Sequence, residues 1–337
     1  MTYLMCITYD NTMVCTTICT VLSCFVFTVA IFKLLEFYLR KKKLIDIVNR
    51  HVLITGCDSG FGYCLAKRLD ELGVPVFASC LTEKGEETLR QKCSSRLNTL
   101  RLDVTNDQSI QEAVQCVLSK LPEGKGLWGL VNNAGLQVIS APLELYSRIA
   151  IEKTLAVNLI GVMEVTKAFL PLLRKSKGRI VSVSSDAALI AWPCRSAYNI
   201  SKVGVESLSS CIRKEMFHVG VTAHCVEPGA FRTHIVDTEE MCSTLQKAYE
   251  ATDINVRNFY GKGWLERWKE GFRGIPKIQN PDLSPVTGAI EHALFSRFPK
   301  TRYRCGKDCQ YTYWPISLMP DSFQDWYYAM PSPDGAR

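Results

Sequence analysis

The sequence predicts an α/β domain built on a parallel sheet, preceded by one membrane-spanning helix. Three observations carry this expectation. Residues 11–32 (NTMVCTTICTVLSCFVFTVAIF) hold no charged side chain, and about 20 such residues in a helix cross a bilayer. From residue 50 onward, short apolar runs alternate with helical periodicities, a pattern that implies parallel pairing through right-handed crossovers. The first run closes on a glycine-rich turn that opens a helix, TGCDSGFG (55–62), an arrangement suited to an anionic ligand.

Each segment has its own reason. The first ten residues carry only Asp10, whereas Lys33 and Arg40-Lys41-Lys42-Lys43 flank the far side of the apolar run. A cleavable signal would have a basic start and a shorter apolar core, so 11–32 reads as a retained anchor behind a short tail, 1–10. Lys and Arg collect on the cytoplasmic side, which places the rest of the chain in the cytosol. A basic linker, 33–49, follows. The expected strands are His51–Thr55, Val74–Ser79, Thr99–Leu102, Leu127–Val131, Gly178–Ser184 and Val221–Val226, each ending in turn residues. Leu65, Leu69 and Leu72 give the segment after the glycine turn a helical face. A catalytic domain over 50–237 is followed by a helical segment, 238–300, with helices expected at 239–252 and 285–296. An aromatic tail, 301–337, closes the chain.

Composition narrows the function classes. With 47% hydrophobic and 22% charged residues, the 337-residue chain is globular rather than disordered or fibrous. The net charge of +7 is clustered. Residues 33–50 hold six basic and two acidic side chains, and 297–307 hold five basic and no acidic ones. This is not a nucleic-acid footprint, and both clusters read as contacts with an anionic membrane leaflet. The 15 cysteines include Cys305 and Cys309 spaced CxxxC with no nearby His. Free thiols in a reducing compartment, and no metal site, are the expectation, since tetrahedral zinc needs four convergent ligands.

The candidate chemistry lies in two clusters. Gly56, Gly60 and Gly62 let backbone approach a pyrophosphate at a helix N-terminus. Asp103, after the third strand, is placed either to bind an adenine amino group or to cap the next helix. No Lys or Arg occurs in 56–62 or 80–83 to meet a 2′-phosphate, so NAD is expected over NADP. The acid often found after the second strand in NAD sites is also missing, its place taken by Cys80-Leu81-Thr82. Ser185, Tyr198 and Lys202 form the second cluster. Tyr198 and Lys202 are i and i+4 on one helix face. An adjacent ammonium lowers the pKa of a tyrosine, otherwise near 10. Ser185 is placed to orient a substrate oxygen, Lys202 to hold a ribose as well, and Asn158 to hold a water next to Lys202. The bland reading of YxxxK alone is a solvated helix face.

In their order and spacing, TGCDSGFG (55–62), NNAG (132–135), the Asn158 segment VNLIG, Ser185, YNISK (198–202) and EPG (227–229) resemble the short-chain dehydrogenase/reductase family over about residues 50–235. The resemblance implies a Rossmann-type, doubly wound, seven-stranded parallel sheet and an Asn158–Ser185–Tyr198–Lys202 tetrad. It also implies hydride transfer between a nicotinamide and a carbonyl or alcohol carbon. It assigns the cofactor face to Gly56, Ser59, Gly60, Phe61, Gly62, Asp103, Val104, Asn132, Ala134, Gly135, Tyr198, Lys202, Pro228, Gly229 and Thr233. Family members are often dimers or tetramers, so a homo-oligomer is a further expectation.

ASCLTEKGEETL (78–89), GLWGLVNNAG (126–135), FLPLLRKSKGRIVSVSS (169–185) and VEPGAFRT (226–233) resemble the branch of retinol dehydrogenases, 17-beta-hydroxysteroid dehydrogenases and D-3-hydroxybutyrate dehydrogenase. YGKGW (260–264) and TRYRCGKDCQY (301–311) resemble that branch's C-terminal segments. The branch generally favours NAD. A retinoid or steroid alcohol is the expected substrate, because the anchor places the site beside lipid-dissolved molecules and seven aromatics between 311 and 328 suit an interface. They equally suit ordinary packing of a tail. The alternative is D-3-hydroxybutyrate: PCRSAY (193–198) resembles that enzyme, and Arg195 is suited to pair with a carboxylate. Asp186, directly after Ser185, is unusual for the branch and disfavours an acid substrate. A third reading is a non-catalytic, cofactor-binding membrane scaffold. The expected location is the endoplasmic reticulum membrane, with a mitochondrial one as alternative.

Overall fold

The computed structural model describes residues 2–329, with side chains from Met13 onward except Cys15. It comprises two units, one formed by the chain up to Ile45 with Phe295–Pro299, the other by Asp46–Leu294 and the chain from Lys300. In the first unit, helix α1 runs Thr2–Arg40. Every described side chain from Met13 to Leu35 is exposed, and a helix apolar on all sides suits lipid. The hydroxyls along it bond inward: Thr17 donates to Met13 O at 2.7 Å, and Thr20 to Thr16 O and Thr28 to Cys24 O at 2.8 Å each. In hydrocarbon a hydroxyl has no other partner. The helix continues past Phe32, so the start of the basic linker is helical, with Lys33 and Arg40 both paired to Glu36. Its end is tied to the 295–299 segment by an antiparallel bridge between Lys43 and Ser296 and by Leu44 N–H to Phe295 O at 2.8 Å.

The second unit is a seven-stranded parallel sheet with helices on both faces. Its elements in chain order are β1 (Val52–Ile54), α2 (Gly60–Glu71), β2 (Val76–Cys80), α3 (Glu83–Lys92), β3 (Leu97–Arg101), α4 (Asp107–Lys120), β4 (Gly129–Asn132), α5 (Arg148–Leu155), α6 (Gly161–Ser176), β5 (Arg179–Val183), α7 (Ser196–Glu215), β6 (Thr222–Pro228), α8 (Thr238–Ala251), α9 (Ile254–Ile278), α10 (Ser284–Phe295), β7 (Arg302–Cys305), α11 (Trp314–Ser317) and α12 (Asp321–Ala329). The strand order is β3-β2-β1-β4-β5-β6-β7. The order reverses between β1 and β4, and ligands in such sheets bind beyond the strand ends at that crevice. Strands β1, β2, β4 and β5 are buried along their whole length because helices cover both faces. Leu53, Phe77, Leu130 and Ile180 pack with Val165, Phe169 and Leu173 of α6 into one core. A second core joins α8 and α9 through Leu245, Tyr249, Leu265 and Phe272 to Ile139 and Leu145.

The C-terminal part departs from expectation in one place. The Arg-rich stretch at 302–304 is strand β7. Arg302 pairs with Glu206 and, at 3.3 Å, with fully buried Glu227, and Arg304 pairs with Glu227 at 3.2 Å. Two of the five cations assigned to a membrane surface are therefore committed to the domain. Cys305 and Cys309 are both buried and donate to Tyr303 O and Glu227 O, respectively.

Candidate active site

The turn after β1 is shaped by two glycines in the left-handed region, Gly56 at φ 70° and Gly60 at φ 61°. A Cβ on Gly56 would lie 2.8 Å from Ala134 Cα, and one on Gly62 would overlap the Gly56 carbonyl oxygen. The glycines thus press β1, β4 and α2 together. Ser59, the N-cap of α2, makes no side-chain cap hydrogen bond, so its hydroxyl leaves the first N–H groups of that helix open. A cavity of about 440 Å³ opens here, lined by Gly56, Asp58, Ser59, Gly60 and Phe61, by Asp103 and Val104, by Ala134 and Gly135, and by Pro228, Gly229 and Thr233. Phe61 and Phe231 meet edge-to-face at 5.7 Å across its floor. Open helix N–H groups above a glycine cradle fit a dinucleotide pyrophosphate.

Two expected contacts differ. Asn132 is buried and donates to Thr166 Oγ1 at 2.9 Å; its strand phase turns it into the core, and its neighbour Asn133 lines the cavity instead. Gly62 is a packing position rather than a wall. Asp103 accepts from Thr105 N–H at 2.9 Å, whereas the cap of α4 is Asn106, so Asp103 remains beside the cavity. A residue that sequence reasoning missed is Asp58. Its carboxylate accepts from Leu81 N–H at 2.8 Å, Thr82 N–H at 2.9 Å and Thr82 Oγ1 at 2.6 Å. Its carboxylate thus lies at the end of β2, where the sequence offers no acid.

The catalytic candidates converge on the same cavity. Ser185, Asp186, Arg195, Tyr198 and Lys202 all line it. Ser185 follows β5, and its Oγ donates to Asp186 Oδ1 at 2.7 Å and accepts from Ala187 N–H at 3.2 Å. Burial pushes the Tyr198 hydroxyl up to about 12, the charge of Asp186 adding to this and the neighbouring Ser185 and Arg195 opposing it. Lys202 is buried, donates to Val183 O at 3.1 Å and lies 5.5 Å from the Tyr198 ring centre. Burial lowers its own pKa to about 8. The ammonium expected to lower the tyrosine therefore points past it.

Asn158 stands behind this group, on a single π-turn, Ala156–Ile160, between α5 and α6. Its carboxamide accepts from Leu136 N–H and donates to Leu136 O, both at 2.8 Å. A Cβ on Gly135 would lie 3.5 Å from both Asn158 Oδ1 and Lys202 Nζ, so the missing side chain leaves the two groups facing one space.

The outer wall is apolar. Ile235, Val236, Ile275, Ile278, Trp192 and Tyr313 line it, and Trp192 meets Tyr313 and Tyr328 edge-on at 4.9 and 5.6 Å. Part of the aromatic tail is thus cavity wall, while Tyr311 and Trp326 stay exposed.

A family model described as short chain dehydrogenase matches residues 50–242. Retinol dehydrogenase 16 of Rattus norvegicus is 42% identical over 310 residues, covering 91% of this chain and 97% of that protein. The 17-beta-hydroxysteroid dehydrogenase type 6 of the same species is 41% identical over 297 residues, covering 88% and 93%. Among solved structures, a short-chain dehydrogenase from Streptomyces avermitilis superposes with a TM-score of 0.65 at 24% identity, covering 83% of this chain and 95% of that one.

Proposed function

Because the chain belongs to the short-chain dehydrogenase family, in the branch of retinol and hydroxysteroid dehydrogenases, we propose that it is a membrane-anchored, NAD-dependent oxidoreductase. It interconverts a hydrophobic alcohol, a retinoid or hydroxysteroid, with its aldehyde or ketone. The observation that carries this reading is the single cavity in which Ser185, Tyr198 and Lys202 meet both the glycine cradle and a wall of Ile275, Ile278, Trp192 and Tyr313. Bound nicotinamide supplies the hydride acceptor for oxidation and the donor for reduction. Tyr198 transfers the proton, Ser185 holds the substrate oxygen, Lys202 holds the nicotinamide ribose, and Asn158 braces the loop after β4. The preference for NAD rests on Asp58, whose carboxylate at the end of β2 would repel a 2′-phosphate.

Ile275, Ile278 and Gln279 from the substrate-side segment and Tyr313 from the aromatic tail contribute to the cavity wall, and helix α1 anchors the domain on the cytosolic face of the endoplasmic reticulum. Protease digestion of intact microsomes tests that orientation: the domain should be cleaved. Arg195 in the wall favours D-3-hydroxybutyrate as a second reading, but the neighbouring Asp186 opposes a substrate anion. The deciding experiment assays membrane-embedded protein with retinol, 17-beta-hydroxysteroids and D-3-hydroxybutyrate, each with NAD and NADP. Turnover of the lipid alcohols with NAD is expected. Activity confined to hydroxybutyrate reverses the choice of substrate.

A further inference from the structure

The residue after Ser185 is a carboxylate, and it is built into the cavity. Ser185 and Asp186 are 8% and 9% exposed, both line the cavity, and the Ser185 hydroxyl gives its proton to Asp186 Oδ1 at 2.7 Å. A serine has one proton and two lone pairs. One lone pair is taken by Ala187 N–H, which leaves Ser185 with a lone pair and no proton to offer a ligand. Given an alcohol and carbonyl pair as substrate, the reading argued above, we propose that Asp186 is a positioning residue that fixes the Ser185 hydroxyl as an acceptor, so that the site holds the alcohol in preference to the carbonyl.

An alcohol both donates and accepts. Its hydroxyl proton goes to Ser185 Oγ, and its oxygen accepts from the neutral Tyr198 hydroxyl. A carbonyl oxygen only accepts, so it gains Tyr198 and faces a lone pair on Ser185. The groups around Asp186 come from three elements: Arg195 and Tyr198 at the start of α7, Ser185 and Ala187 beside it, and Asp308 and Cys309 after β7. Burial raises the Asp186 pKa to about 6, with Asp308 adding and the Ser185 hydrogen bond and Arg195 opposing. Below that pH the neutral acid no longer needs the serine proton, and the preference fades.

The test uses the full chain in detergent or membranes, with retinol and retinal and with a 17-beta-hydroxysteroid and its ketone. Wild type, Asp186→Ala and Asp186→Asn are compared, with NADH binding by fluorescence as the check of folding. The reaction equilibrium cannot change, so the effect divides between KM and kcat within each direction. In Asp186→Ala the carbonyl KM should fall about fivefold, as one neutral hydrogen bond is gained, while the alcohol KM, whose proton the freed serine still accepts, should stay within about twofold. The wild-type carbonyl KM should fall as pH drops through about 6, and both variants should lack that inflection. A carbonyl KM unchanged in a folded Asp186→Ala, or the inflection retained in Asp186→Asn, overturns the proposal alone. A wild type inert toward both pairs overturns the proposed function and this role together.

Discussion

Replacing Asp58 with Ala should weaken both the fold and the choice of cofactor. The carboxylate accepts three hydrogen bonds, at 2.8, 2.9 and 2.6 Å, from Leu81 and Thr82, and so ties the β1–α2 turn to the β2–α3 turn. Hydrogen bonds to an ionised group contribute about 1.5–3 kcal/mol each when buried. These are half-exposed and act together, so the loss should be about 3 kcal/mol. For a domain of this size that corresponds to a fall in Tm of roughly 6–12 °C. The same change removes a negative charge from the end of the cavity beside β2, and at about 1 kcal/mol of repulsion lost, discrimination against NADP should narrow by about fivefold. Thermal unfolding of purified protein and kcat/KM with each cofactor measure the two effects. A variant that unfolds within about 2 °C of wild type, or that keeps its full discrimination, refutes the assignment of both roles to Asp58.

Three further outcomes are expected. Gly62→Ala should abolish cofactor binding, measured by nicotinamide fluorescence, because the new methyl overlaps the Gly56 carbonyl and the Asn133 carboxamide. Tyr198→Phe should reduce turnover by at least about 100-fold; with its hydroxyl pushed up to about 12, the wild-type rate of alcohol oxidation should keep rising with pH up to about 9, and unchanged turnover in the variant would favour the scaffold reading. His224 makes the fold acid-sensitive: Nδ1 donates to Lys300 O at 2.6 Å, Nε2 accepts from Thr222 Oγ1 at 2.8 Å, and burial lowers its pKa to about 4. Its folded pKa is depressed, so the neutral ring's stability is intact above about 6.5 and is lost as pH falls toward 4, by about 3 kcal/mol. Denaturant titrations between pH 7 and 4 should show that slope, and His224→Gln should flatten it.

The legible parts of the fold were those where one signal dominates. Strands β1 to β6 are apolar runs stopped by turn residues, and each was found to within about two residues. Strand β7 was hidden because Arg302 and Arg304 alternate with buried Tyr303 and Cys305; cations that pair with a buried glutamate look from sequence like a solvated cluster. Helix α9 was missed although Tyr260, Trp264, Trp268 and Phe272 recur every fourth residue and stack in succession; glycines mask it, including Gly261 at φ 74°. Within the site, Ser185, Tyr198 and Lys202 were placed by spacing alone. Asp58 was not, because its partners lie 23 and 24 residues away, on another turn. Asn132 and Asn133 differ only in which way a strand end faces, and one residue of phase decides it.

The π-turn at 156–160 holds one residue more than a regular helix would need. Deleting any one of the four residues around Asn158 would let α5 and α6 run together as an uninterrupted α-helix with a complete hydrogen-bond ladder, locally the sounder structure. It would also rotate everything on one side by about 100° relative to the other, carrying the carboxamide of Asn158 off Leu136. The shortest deletion that repairs the helix therefore dismantles the site, and the length of this segment is as much a part of the catalytic apparatus as any side chain on it.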